Sequence, residues 1–307
     1  GYELYEQNVS GDDKNYRLIK TISSTKVTLK GRTKGDVYRY YIRAYKTGNN
    51  GKKTYSKLSG KVSTTVPKKG MSTIKNFLKV AIAPVGSTMY VWGGGWNKAD
   101  TAAGKEAKKV GLSSSWRTFA SSKKSGYNYK NYRYQIHDGL DCSGYVGWCI
   151  YNVRNTKDGK KGYVMKASKQ AKAFADKGWG TYRAAGKVKD YKPGDIMSSS
   201  GHVWIAVGQC DDGSVVLLHA SPPIVQLSGT ATPSGKKNSQ AYRLAKKYMK
   251  KYYSKCYKKY PNVNRGASYL TDYGQMRWDV SSGNAMLTDP DGYYDMSVED
   301  VLEDLFK

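Results

Sequence analysis

The stretch DGLDCSGYVGWCIY, residues 138–151, decides how the larger part of this chain reads. Asp141 suits a helix N-cap, because its side-chain oxygen can accept from the orphan N–H groups of a first turn. The apolar run after it fits a buried helix. Cys142 then falls in the first turn, where the helix dipole favours negative charge and is expected to lower the thiol's pKa. Cys149 lies seven residues on, shares that helix face and reads as core. A nucleophilic thiol needs a base within hydrogen-bond reach, and the chain has only 3 His. His202 opens HVWIAVG (202–208) and His219 closes SVVLLHA (214–220), with the hairpin signal Asp212-Gly213 between them. Strict pairing about that turn sets the two histidines on one face but four residues out of step, and a slightly longer loop closes the gap. His137, in a polar stretch just before Cys142, is the rival base.

Composition narrows the rest. The chain has 307 residues, 52 Lys+Arg and 24 Asp+Glu, for a net charge of +28. No run of 18 apolar residues exists, so no membrane-spanning helix is expected. The 28 Tyr and 7 Trp can build a core, which excludes whole-chain disorder. Four Cys are too few for a disulfide scaffold, although Cys210 and Cys256 could pair. No CxxC or HxxxH spacing occurs, so a metal site is not expected; no cofactor is expected either. The charge suits nucleic acid, an anionic membrane surface or an anionic wall polymer. No nucleic-acid-binding motif accompanies it. The chain opens on Gly1 without initiator Met or signal peptide, and reads as an excised fragment.

The length suggests two domains. Residues 1–66 read as β: GYELYEQ, YRLIKTI, KVTLKG and VYRYYIRAYK are short runs rich in Tyr, Val, Ile and Thr, separated by Gly, Asn, Asp and Ser. In the last of them Tyr38, Tyr40, Ile42 and Ala44 share a face suited to a core. Residues 67–73 read as a linker and 74–307 as the second domain. Within it, IKNFLKVAIAPVG (74–86) predicts a helix ending at Pro84-Val85-Gly86, and 164–177 a second helical run. Residues 97–138 read as a long polar insertion. Residues 236–265 hold eleven Lys/Arg and no acid. Tyr242, Ala245, Met249, Tyr252, Cys256 and Tyr260 recur there at helical spacing, predicting a basic amphipathic helix. MSVEDVLEDLF (296–306) predicts an acidic helix capped by Ser297, and acidic tail and basic helix are expected to attract each other weakly.

Two family resemblances follow from these pieces. MYVWGG (89–94), LDCSGYV (140–146), KPGDIM (192–197), GHVWIAVG (201–208) and LLHASPP (217–223) occur in the order of the NlpC-type cell-wall peptidases. Residues 74–223 thus resemble a papain-like family of bacterial cysteine endopeptidases. The resemblance implies an α+β catalytic domain with helices on a central antiparallel sheet. It also implies Cys142 as nucleophile, His202 as general base, His219 as the third polar residue and Tyr90 beside the oxyanion site. Asp141 and Ser143 would line the adjoining peptide subsite. The implied substrate is the peptidoglycan stem, cleaved between γ-linked D-glutamate and a diamino acid through a thioester. Secretion to the cell wall follows, and the charge density of 236–265 independently points to an anionic wall polymer as partner of the basic helix. Tyr90 and Cys142 stand farther apart than is usual in that family, which puts the 97–138 insertion close to the cleft as a lid or an extra wall. The N-terminal segment resembles the latter part of a fibronectin type III module, an incomplete β-sandwich lacking its first two strands. Rival functions are a non-catalytic wall-binding or scaffolding protein, and an amidase or acyltransferase using the same three residues.

Overall fold

The computed structural model describes residues 1–8, 15–33, 37–65, 72–154, 161–281 and 285–307. The chain divides into two units: Gly1–Met71 with Pro290–Gly292, and Ser72–Asp289 with Tyr293–Lys307. Most of the expected linker lies outside the described residues; of it, Thr73 caps the first helix, accepting from the Asn76 N–H at 3.1 Å.

The first unit is one antiparallel sheet of β1 (Tyr2–Asn8), β2 (Arg17–Ile22), β3 (Val37–Thr47), β4 (Lys53–Tyr55) and β5 (Val62–Thr65), ordered β2-β1-β3-β4 with β5 also on β3. Among the described residues its strands form one sheet rather than the two facing sheets of a sandwich, and KVTLKG (26–31) contributes no strand. The expected alternation holds only in part: Tyr38 is buried but Ile42 is 40% exposed. Buried carboxylates organise the sheet instead. Glu3 accepts from Tyr5, Arg43, Lys53 and Tyr55, and Glu6 from Arg32 and Tyr40.

The second unit is α+β, with helices packed on a curled sheet. Its elements are α1 (Ile74–Ile82), β6 (Met89–Tyr90), α2 (Ser114–Ser122), β7 (Gly139–Leu140), α3 (Cys142–Arg154), α4 (Ala167–Phe174), β8 (Gly180–Arg183), β9 (Ile196–Ser198), β10 (Val203–Gln209) and β11 (Val215–Ser221). They continue with β12 (Ile224–Thr230), α5 (Gln240–Tyr252), α6 (Ser254–Lys259), β13 (Asn264–Arg265), α7 (Ser268–Thr271), β14 (Gly274–Trp278) and α8 (Val298–Phe306). The sheet order is β7-β6-β12-β11-β10-β9-β14-β8, with β13 parallel to β12. The central strands are buried along nearly their whole length because both faces are covered. Helix α3 packs against α1 and against β10 and β11, and α5 lies over β12. The opposite face of β10 carries Trp204 and Ala206, packed with Tyr191, Leu217 and Tyr273.

The basic segment departs from its expected form. It is two helices broken at Tyr253, followed by a short strand, because the segment must turn to bring Arg265 back beside β12. Aromatic stacking joins α5 to α8: Phe306 lies 4.7 Å from Tyr252 and 5.1 Å from Tyr248, ring centre to ring centre. The polar insertion is built into the body rather than looped away from it. Trp116 of α2 is buried against Trp148 of α3, at 5.7 Å, and the Tyr127 hydroxyl donates to the Tyr90 carbonyl at 2.7 Å. Among the described residues, no helix is long and apolar enough to cross a membrane.

Candidate active site

Helix α3 begins where the sequence predicts. The Asp141 carboxylate accepts from the Gly144 N–H at 2.7 Å, the Ser143 hydroxyl at 2.8 Å and the Gly93 N–H at 3.2 Å. Trp96 Nε1 donates to Ser143 Oγ at 2.9 Å, so Asp141 and Ser143 are tied to the loop after β6. Backbone proximity explains the glycines here: a Cβ on Gly144 would run into the Gly94 carbonyl. Only glycine lets the helix start this close to the MYVWGG loop.

The hairpin brings the two histidines together. Ile205 pairs with Leu218, and a bulge between Ala206 and Gly208 shifts the register by one residue. Carried back along β10, this pairing sets His202 two residues from His219 rather than four, on the same face. His202 Nε2 lies 2.9 Å from His219 Nδ1, and His219 Nε2 lies 3.1 Å from Ser228 Oγ on β12. The Cys142 sulfur sits at the start of β10, where the Val203 N–H reaches it, one residue from His202. Tyr90 is buried nearby and packs edge-on against Tyr129 of the insertion at 5.4 Å. The insertion therefore contributes a wall beside Tyr90.

The electrostatics differ from the expected activated thiol. Burial, and then the Asp141 charge, push Cys142 up to about 12, outweighing the N–H groups of Val203, Ser143 and Cys142 itself. Burial, and then Arg265, hold His202 down to about 3 and His219 well below the usual histidine range. Thiol and imidazoles are therefore uncharged at neutral pH. The helix N-terminus does not acidify this thiol, because desolvation of a fully enclosed sulfur is the larger effect. Burial likewise raises Asp141 to about 6 despite its three donors.

His137, the rival base, pairs instead with Glu106 Oε1 at 2.5 Å on an exposed part of the insertion. All four cysteines are free, so Cys210 and Cys256 do not pair. Several residues at the site were not anticipated. Arg265 donates from Nε to His219 Nε2 at 3.2 Å, and Tyr269 and Tyr273 ring His202 at 5.9 and 6.4 Å. Ser228 carried a signal, since Gln226 and Ser228 are polar residues inside the otherwise apolar strand IVQLSGT. Arg265, Tyr269 and Tyr273 carried none, because they reach the site only through the turn after α6. Comparison with known proteins gives no match: no family model, no curated protein and no solved structure matches this chain.

Proposed function

We propose that the second unit is a cysteine peptidase of the NlpC type, acting on peptidoglycan stem peptides at the γ-D-glutamyl–diamino acid bond. The carrying observation is the placement of a helix-start thiol beside the first residue of β10, with the His202–His219 hydrogen bond at 2.9 Å next to it. That bond occupies Nε2 of His202, so Nδ1 is the nitrogen that would act on the thiol. Because both groups rest uncharged, His202 takes the thiol proton at Nδ1, once that nitrogen presents its lone pair, as the sulfur attacks, rather than holding a preformed ion pair. The S–C bond forms, and the oxyanion is met by the backbone N–H of Cys142 and by Tyr90. One such donor is worth about 2.7–4 kcal/mol. The C–N bond then breaks as His202 returns the proton to the leaving amine. Water hydrolyses the thioester, giving its proton to His202 and then to the sulfur. His219 orients the His202 ring, and Asp141, Ser143 and Tyr129 line the approach to the thiol.

The lysines of α5 and α6 supply a basic surface for anionic wall polymers, and a secreted, wall-associated location fits this reading. The rival reading is a wall-binding protein without catalysis. Incubation of the protein with purified muropeptides separates the two. The expected result is stem-peptide cleavage that is lost in Cys142→Ala; intact muropeptides after incubation with the wild-type chain would leave the binding reading.

A further inference from the structure

Arg265 is the side chain at this site whose presence the peptidase reading does not require. Its Nε donates to His219 Nε2 at 3.2 Å and its Nη1 to the Asn264 carbonyl at 2.7 Å. Among the described residues no carboxylate pairs with it. We propose that Arg265 is a positioning residue that sets the order of protons along the two histidines. The inference rests on the peptidase reading for its catalytic meaning, but not for its geometry.

A guanidinium only donates, so the His219 nitrogen facing it must offer a lone pair. A neutral imidazole carries one N–H, and in His219 it therefore sits on Nδ1. That N–H points at His202 Nε2, 2.9 Å away, which must accept. The single proton of neutral His202 is then on Nδ1, the nitrogen left for Cys142. In this arrangement the histidine pair shows the thiol an N–H and no lone pair, so it cannot take the thiol proton. Ser228 Oγ, 3.1 Å from His219 Nε2, can either donate to it or accept from it. When the guanidinium moves off Nε2, Ser228 accepts a proton there. Every hydrogen bond in the chain then reverses, and His202 Nδ1 becomes basic. Arg265 thus holds the pair in its non-basic order, and turnover requires its release. The other groups packed against the pair are the rings of Tyr269 and Tyr273, with Cys142 at the start of β10. None of these holds the His219 nitrogen in the lone-pair state.

Ring-nitrogen NMR on 15N-histidine-labelled protein tests this directly, because three histidines give a readable spectrum and exposed His137 serves as reference. The wild-type chain is expected to show His219 protonated on Nδ1 and His202 on Nδ1. Arg265→Met should move the His219 proton to Nε2, and Arg265→Lys, which keeps a donor-only cation, should restore the wild-type order. Alkylation of Cys142 by iodoacetamide at pH 7, followed by mass mapping, should rise several-fold in Arg265→Met and stay near wild type in Arg265→Lys. A wild-type His219 protonated on Nε2 overturns the proposal, as does a proton order unchanged in Arg265→Met. Neither result bears on whether muropeptides are cut. Conversely, a chain with the expected proton order that cuts nothing refutes the peptidase reading alone.

Discussion

Raising the pH is the simplest perturbation of a buried thiol. With Cys142 held at about 12, its thiolate fraction at pH 7 is only about one part in 10⁵. Alkylation by iodoacetamide, which consumes thiolate, should therefore be slow at neutrality. It should accelerate about tenfold per pH unit between pH 7 and 9, since each unit multiplies the ionised fraction by that factor. His202, held near 3, contributes no imidazolium across this range and adds no inflection. The rate is read by stopped aliquots and peptide mapping, so that modification of Cys142 is separated from the buried Cys149, Cys210 and Cys256. A rate that is high at pH 6 and flat to pH 9 would show a standing thiolate–imidazolium pair. It would refute the argument that desolvation outweighs the helix N-terminus here.

Two further substitutions test the packing that builds the site. Gly144→Ala should destabilise the fold by about 1–3 kcal/mol, seen as a lowered thermal midpoint, because its Cβ meets the Gly94 carbonyl. A gain in stability, as helix propensity alone predicts, would contradict that contact. Arg277→Met should cost about 3–5 kcal/mol in chemical denaturation, because it strands the fully buried Asp195 carboxylate that Arg277 bonds at 2.8 Å. A loss below about 1 kcal/mol, the range of a surface pair, would show that Asp195 does not depend on it.

Much of the second unit was legible because its signals are local. LDCSG marks a cap and a close backbone approach, and both appear as Asp141 bonded to Gly144 and Gly144 against Gly94. Asp212-Gly213 marks a hairpin, and Ser297 caps α8 by accepting from the Asp300 N–H at 3.2 Å. What escaped depends on distant partners. The bulge that aligns His202 with His219 has no composition signal, and the Tyr253 break is hidden inside an unbroken helical period. The charge state of Cys142 follows from how deeply the whole fold encloses it, which no helix position can report. In the first unit, alternation in VYRYYIRAYK predicts a core face, of which Tyr38 is buried while Ile42 is 40% exposed.

The central claim is that Cys142 forms a covalent acyl intermediate on the way to breaking an amide. Intact-mass spectrometry of acid-quenched mixtures of the protein with a muropeptide addresses this most directly. The account predicts an added mass equal to the acyl part of the stem peptide, mapped to Cys142, transient in the wild-type chain and absent in Cys142→Ala. An adduct on another residue, or cleavage that persists without Cys142, would contradict it.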